Sequence, residues 1–307
     1  YLSNIDYKPI RYISFAHDEE TYKALEASKA WSKAEMIAPK QFREEISPYF
    51  NANPKKYISA LVSEDCWQAT PGKVVDLVRN LGIAAGGTVM EDCRVLEACR
   101  EGKYTSVLVQ THDKKYVEYR TEHFVNALGS GAGKLCDSMG IDAGLYPVRH
   151  QAFITRRLPM LGKHGTNLDM LIDRQDYKGF SAVYGQQIAY TGQIIGCASP
   201  KLDAMRIDKN LKVNTKAFLE IVSEMFSEWI PDLAGVGIQA VWAGYYTEPR
   251  YIVDPELGLF VGMRGHGFML SQYIARMYVD KLLGRPVPEY FEKLKLNGPG
   301  LSEKAFK

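Results

Sequence analysis

The stretch V125-N-A-L-G-S-G-A-G-K-L-C-D-S-M-G140 joins an apolar lead to a turn of small residues and then to helix-like residues. Gly129, Gly131 and Gly133 alternate with Ser130 and Ala132, and Lys134 follows. Two phosphate-binding templates fail on it. A P-loop needs a glycine five residues before its Gly-Lys pair and a Ser or Thr after it; those places hold Leu128 and Leu135. A dinucleotide fingerprint needs its third glycine three residues after the second, and that place is Lys134. What remains is a strand-to-helix turn whose backbone can be closely approached, by a ligand or by another segment of chain.

Upstream of this turn the pattern alternates strand and helix. "IRYISFAHDEE" reads as a strand running into an acidic helix that extends through Lys33. Thr70-Pro71 reads as an N-cap with proline at the first helical position. Val74, Leu77, Val78 and Leu81 then mark one apolar face, with Gly82 as the stop. "TVMEDCRVLEA", "TSVLVQT" and "KYVEYRTEHFVNAL" read as strands with turns at Glu101-Gly102 and His112-Asp113. Downstream, "QAFIT", "LDMLID", "FSAVY", "QQIAY" and "QIIGCAS" are five closely spaced strand candidates, predicting an antiparallel sheet. Phe218, Ile221, Val222, Met225, Phe226 and Trp229 form a helical packing stripe. Strands "AVWAGYY" and "LGLFVGM" follow, then Gly265-His266-Gly267. A last helix has Leu270, Tyr273, Ile274, Met277 and Tyr278 on one face and stops at Gly284. The pattern is a discontinuous α/β layer with an antiparallel sheet inserted.

The composition narrows the function classes. Apolar residues make up 46% and charged residues 24% of the 307, as in an ordinary globular protein. The 38 basic and 36 acidic residues nearly cancel, so no overall field favours nucleic acid or an anionic membrane. No apolar run approaches a membrane span. Five cysteines without C-x-x-C spacing fit reduced thiols, and hence a cytoplasmic setting. The dispersed histidines give no support for a metal site. The chain starts at Tyr1, without initiator methionine or signal peptide, and reads as processed or trimmed.

The motifs "VNALGSGAGKL", "YPVRHQAFIT", "GQIIGCAS" and "VWAGYYTEPRYIVDPELGLFVGMRGHGFML", in that order, resemble the D-amino-acid oxidase and sarcosine oxidase superfamily of FAD enzymes. His150-Gln151 is most similar to the dimethylglycine and sarcosine dehydrogenase branch. The resemblance implies an α/β fold with a Rossmann-like FAD-binding layer of the glutathione-reductase type, incomplete at its N terminus, and an inserted antiparallel-sheet substrate domain. On this reading 61–147 and 240–285 form the FAD domain and 148–239 the substrate domain. Residues 1–60 lie mainly on the substrate side, and 286–307 form a tail. No G-x-G-x-x-G occurs in the chain. The expectation is therefore that a second polypeptide supplies the βαβ unit that binds the ADP part of FAD at a helix N-terminus.

The same resemblance implies the site. Val95, Gly129, Ser130, Gly131, Ala132, Trp242, Arg264, Gly265, His266, Gly267, Phe268 and Met269 are expected beside FAD. The turn at Arg264 would offer free N–H groups, a helix dipole and a full charge to the reduced flavin. His150, Tyr184 and Tyr245 are the expected catalytic residues; Gln151, Tyr246, Arg250 and Met269 the substrate contacts, with Arg250 gripping a carboxylate. A histidine titrating near neutrality suits proton transfer from an amine.

Three departures modify the picture. Trp242 stands near the place of a flavin-linking cysteine, so FAD is expected to be non-covalent. Ile194 stands where oxidases carry the lysine that assists oxygen reduction, which favours a dehydrogenase. Met269 replaces a carboxylate-binding lysine, which favours a larger or less acidic amine. The expected reaction is oxidation of a secondary or tertiary amine, or N-substituted amino acid, to an imine. A 2-hydroxy-acid dehydrogenase and a non-catalytic flavin-binding or partner subunit are the alternatives.

Overall fold

A computed structural model of the chain describes residues 2–29, 33–47, 55–158, 161, 168–175, 180–188, 191–200, 211, 215–231 and 234–300. The chain divides into two units, one of residues 1–77 and 149–244, the other of residues 78–148 and 245–307. The expected boundary at 60/61 falls inside a strand of the first unit, and that at 239/240 inside a strand that enters both.

The first unit is built on an eight-stranded sheet. Its strands are β1 (Lys8–Ala16), β2 (Ala34–Ile37), β3 (Ser59–Gln68), β7 (Tyr146–Thr155), β8 (Met170–Asp173), β9 (Phe180–Gln187), β10 (Ile194–Pro200) and β11 (Ile238–Glu248). They lie in the order β11-β7-β10-β9-β8-β1-β3-β2. The sheet is mixed rather than purely antiparallel, since β1 and β8 pair in parallel. Helix α1 (Glu19–Ser28) follows β1, capped by Asp18, which exchanges hydrogen bonds with Thr21 in a capping box. It ends at Ser28 instead of running to Lys33. A single turn, α2 (Pro39–Gln41), follows β2.

"QQIAY" is not a strand of its own. Gln186 and Gln187 complete β9, which pairs with β10 as an antiparallel hairpin from Ile194↔Gln187 onward; Ala189 and Tyr190 lie outside the described residues. Helix α5 (Thr215–Trp229) buries its predicted stripe. Phe218, Met225, Phe226 and Trp229 pack in one core with Phe153, Val183, Ile194 and Ala198 of the sheet. Edge-to-face and tilted rings, such as Phe153 against Phe226 at 5.2 Å, join helix to sheet.

Helix α3 (Pro71–Ala84) runs two residues past Gly82. It has the predicted amphipathic period but no buried residue: Val75, Val78, Leu81 and Ile83 are 42–63% exposed. In the second unit β4 (Arg94–Glu101), β5 (Tyr104–Gln110) and β6 (Tyr116–Thr121) form an antiparallel meander. Only the second half of "TVMEDCRVLEA" is a strand, beginning at Arg94. Helix α4 (Ala132–Ser138) follows the glycine turn. Strands β12 (Ile252–Asp254) and β13 (Leu259–Val261) pair antiparallel, and Asn126 bridges to Leu259 in parallel. Helix α6 (Gly267–Leu282) buries Ile274, Met277 and Tyr278. The tail is part of this core: Phe291 and Leu294 pack against Tyr251, Val253 and those three residues. Among the described residues, no helix is long and apolar enough to cross a membrane.

Candidate active site

The second unit brings the two glycine turns together. Asn126 donates its N–H to the Gly258 carbonyl at 2.8 Å and accepts from Phe260 N–H at 3.0 Å. The chain at Asn126 is therefore a parallel neighbour of β13, and the loops leaving both strands emerge at the same end. Each loop passes through one 3-10 turn, Gly129–Gly131 or Arg264–His266, into a helix. Two helix entries thus lie at the same end of this parallel bridge, an arrangement similar to the one with which open α/β sheets bind nucleotides.

The first turn is fastened by Asn126, which is 1% exposed. Its side-chain Nδ2 donates to the Ala132 carbonyl at 3.0 Å, and its Oδ1 accepts from Leu128 N–H at 3.3 Å. Gly129, at φ 55°, starts the turn in the left-handed region. Gly129, Ser130 and Gly131 are exposed. Ala132 is not: its side chain is fully buried in a core with Cys136, Ile252, Leu259 and Val261. Val95, half-buried at a bulge in β4, packs with Ala98, Val107 and Val109 of the meander and with Leu135.

The second turn is held by two side-chain clasps. Arg264, in the left-handed region at φ 48°, pairs through Nε with the buried Glu248 carboxylate. The Tyr251 hydroxyl meets His266 Nδ1 at 2.5 Å. Burial raises the Tyr251 phenol above its ordinary value, so it stays protonated. At Gly265 a Cβ would come within 2.7 Å of the Tyr246 ring, so glycine is what lets the ring lie against the turn. No side chain caps the N-terminus of α6 at His266. The N–H groups of its first turn, at Gly267, Phe268 and Met269, thus offer donors and the positive dipole end to an anion. Phe268 and Met269 are 47% and 62% exposed. This donor set fits the electron-rich pyrimidine edge of a flavin.

Arg250 has other work. Its Nη1 donates to the Gly298 carbonyl at 2.9 Å and its Nη2 to the Leu296 carbonyl, tying down the tail. Tyr245 and Tyr246 are half-buried near the end of β11.

In the first unit, β10 lies between β7 and β9, and Cys197 faces Ala152 on one side and Tyr184 on the other. Side chains alternate along strands. His150, Ala152 and Ile154 therefore share one face with Cys197 and Tyr184. Gln151, Phe153 and Thr155 share the other with Ala198 and Val183. The first face is half-buried, whereas the second is the fully buried one against α5. His150 and Tyr184 thus look out from the same surface, two strands apart and offset by two residues along them, roughly 12 Å from each other. Gln151 is turned to the opposite face from His150, at 6% exposure. Ile194 is 0% exposed on that same buried face, so its identity carries no information about a flavin-facing lysine. Trp242 on β11 is 40% exposed.

Four further residues escape a sequence reading: Cys197 in the first unit, and Asn126, Glu248 and Tyr251 in the second. Cys197 was accessible through the alternation in "GQIIGCAS", which puts Ile195 and Cys197 on one face. Its thiol is pushed up to about 11 by burial, so it stays neutral beside Tyr184. Asn126 is the one polar residue in an apolar lead, a signal of a buried hydrogen-bonding task.

Comparison with known proteins gives the fold and the family. The chain resembles the L-proline dehydrogenase from P. horikoshii, with 23% identity, a TM-score of 0.77, and coverage of 95% of this chain and 77% of that one. It resembles glycine oxidase from Geobacillus kaustophilus with 16% identity, a TM-score of 0.75, and coverage of 95% and 76%. For iminodiacetate oxidase from Chelativorans sp. BNC1 the values are 13%, 0.70, 97% and 79%. At such identities the likeness is one of fold. No curated protein matches the sequence. The family model for FAD dependent oxidoreductases (DAO) matches residues 2–281. A model of FAD-dependent oxidoreductases that matches nearly the whole chain shows the family, and the chain belongs to it.

Proposed function

We propose that this FAD-dependent oxidoreductase oxidises the C–N bond of a secondary or tertiary amine, or of an N-substituted amino acid, to an imine that then hydrolyses. The observation that carries the reading is the half-buried face shared by His150 and Tyr184, with the neutral Cys197 on the strand between theirs. Bound non-covalently, FAD supplies the acceptor for the hydride equivalent. The imidazole of His150 is suited to hold the amine proton, so that the nitrogen is neutral when the bond is oxidised. Tyr184 orients the substrate by a hydrogen bond, with Tyr245 as a further contact. The uncapped first turn of α6 stabilises negative charge on the cofactor. A dehydrogenase is favoured over an oxidase. Among the described residues of β7, β9 and β10, the face with His150 carries no lysine or arginine to assist oxygen reduction. The five unpaired thiols support a cytoplasmic setting.

The test is anaerobic flavin bleaching with a panel of N-substituted amino acids, simple amines and 2-hydroxy acids. Amines are expected to bleach the flavin, and His150→Ala to slow bleaching about 100-fold or more while FAD is retained. Bleaching by hydroxy acids alone would replace the substrate class. A His150→Ala enzyme as fast as the parent would remove His150 from the mechanism.

We propose further that a second polypeptide contributes the ADP-binding βαβ unit. Two observations support it. Helix α3 leaves Val75, Val78, Leu81 and Ile83 uncovered, although its period is that of a packed helix. Asn126 spends its peptide groups on β13, so Val125 and Ala127 turn theirs to the opposite edge, where Val125 and Leu128 are each 43% exposed. Parallel strands are rarely left with an open apolar edge. Denaturing intact-mass analysis of the natively purified flavoprotein is expected to show a second, smaller chain. A single chain that carries flavin without one would refute the proposal.

A further inference from the structure

The turn Arg264–Gly267 has a charge problem that the fold resolves. A guanidinium at the mouth of an uncapped helix would be the strongest positive group beside the proposed flavin edge. Arg264, however, does not present a free charge, because Glu248 lies against its Nε and both side chains are largely buried, with 18% and 11% exposure. Paired ions in a partly desolvated place interact strongly and present little net field to a third group. Arg264 is also a non-glycine residue in the left-handed region, at φ 48°, a conformation that sterics disfavour and surroundings must enforce. Its partner Glu248 ends β11, a strand of the sheet, and is therefore a fixed anchor. Tyr251, three residues on, clasps His266 two positions beyond Arg264.

We propose that Glu248 is a positioning and charge-setting residue for this turn: it holds Arg264 in its left-handed start, aims the N–H groups of Gly267 to Met269, and cancels the guanidinium so that those N–H groups and the helix dipole, rather than a full charge, set the flavin's electron affinity. This rests on the reading that the turn faces the flavin. It also departs from the expectation that Arg264 itself acts as the counter-charge.

The test uses the purified holoenzyme and reads the two-electron midpoint potential of the bound flavin, with FAD affinity measured alongside. Three variants are compared with the parent: Glu248→Gln, Arg264→Gln, and both together. In Glu248→Gln the guanidinium is uncancelled and favours the anionic reduced flavin. Reduced is then expected to gain over oxidised flavin by about tenfold, a rise of about 30 mV for a two-electron couple. Arg264→Gln leaves Glu248 uncancelled and is expected to shift the potential the opposite way. The double variant is expected to return near the parent potential, because it removes a neutral pair, and it also serves if Glu248→Gln loses its flavin. Mere loosening of structure would weaken FAD binding in all three and give no such sign reversal. If Arg264→Gln lowers the potential and the double variant is equally low, Arg264 is the counter-charge and the proposal falls. If all three variants keep the parent potential while binding FAD, the turn does not face the flavin, and the reading beneath the proposal falls as well.

Discussion

Gly262→Ala is expected to prevent the second unit from reaching its native state, at a cost of about 4 kcal/mol or more. Gly262 has φ 72°, a conformation in which L side chains are strained. A Cβ there would overlap the carbonyl oxygen of Arg250 and come within 3.4 Å of Leu145 Cδ2. Neither neighbour can yield cheaply. Arg250 is pinned by its own hydrogen bonds to Gly298 and Leu296, and it directly precedes the buried stretch from Tyr251 to Asp254. Gly262 also leads from β13 into the Arg264 turn, so the distortion would pass straight into the turn proposed to face the flavin. Urea unfolding with flavin release as a second signal is the measurement. Gly82→Ala is the control: nothing lies within 4 Å of its Cβ and its φ is not left-handed. That variant is expected to be as stable as the parent or slightly more so. A Gly262→Ala protein with parental stability would mean that the contact between Gly262 and the Arg250 carbonyl is not as described.

The second large effect is a pH-dependent clasp in the first unit. At the carboxyl ends of the parallel pair β1 and β8, His17 Nδ1 lies 2.7 Å from the Lys56 carbonyl and Nε2 lies 2.6 Å from Asp173 Oδ1. A carbonyl can only accept. Nδ1 must therefore be the donor to Lys56, and Nε2 shares a second proton with the carboxylate. The clasp thus needs one proton more than a neutral imidazole beside an ionised Asp173. Burial opposes the imidazolium, but the hydrogen bond and charge of Asp173, the Lys56 carbonyl and Asp18 outweigh it and raise His17 above 6.5. The other groups around the clasp are the buried Tyr57 ring, 5.0 Å from the imidazole, and the Lys56–Glu228 ion pair. A raised folded value means stability that is fully present below the unfolded value near 6.5 and is lost as pH rises through the folded value. The unfolding midpoint of the parent is therefore expected to fall from neutral pH upward, and that of His17→Gln to follow a flatter course. Asp173, 1% exposed, also accepts from Gln175 N–H at 3.0 Å. Asp173→Ala leaves an unpaired buried imidazolium and is expected to cost about 3–5 kcal/mol at pH 6, less at higher pH, where His17 can lose its proton. Identical pH slopes in the parent and His17→Gln would refute the clasp.

Much of the architecture was legible in the residues because local periods report burial. The stripe from Phe218 to Trp229 and the final helix stopping at Gly284 are set by side chains that repeat at helical spacing. The glycine turns at Gly129 and Gly265 were readable for the same local reason, since small residues between a strand and a helix mark a close approach. The order of the motifs was enough to identify the FAD oxidoreductase fold. Other features needed partners distant in sequence. Whether Gln151 or its neighbour His150 looks outward depends on strand register, and one residue of slip exchanges the faces. Ile194 reads as a site position along the chain and as a core position across the sheet. "QQIAY" has a strand's composition, yet it belongs to the end of β9, because the hairpin to β10 decides where that strand stops. Arg264 and Arg250 look alike in sequence, as cations near a cofactor turn. Only the folded chain brings Glu248 to the one and the carbonyls of Leu296 and Gly298 to the other. Local periodicity is a property of neighbouring residues and can be read from them. Charge pairing, face selection and left-handed turns are set by contacts that close long loops, so they are decided only when the tertiary structure forms.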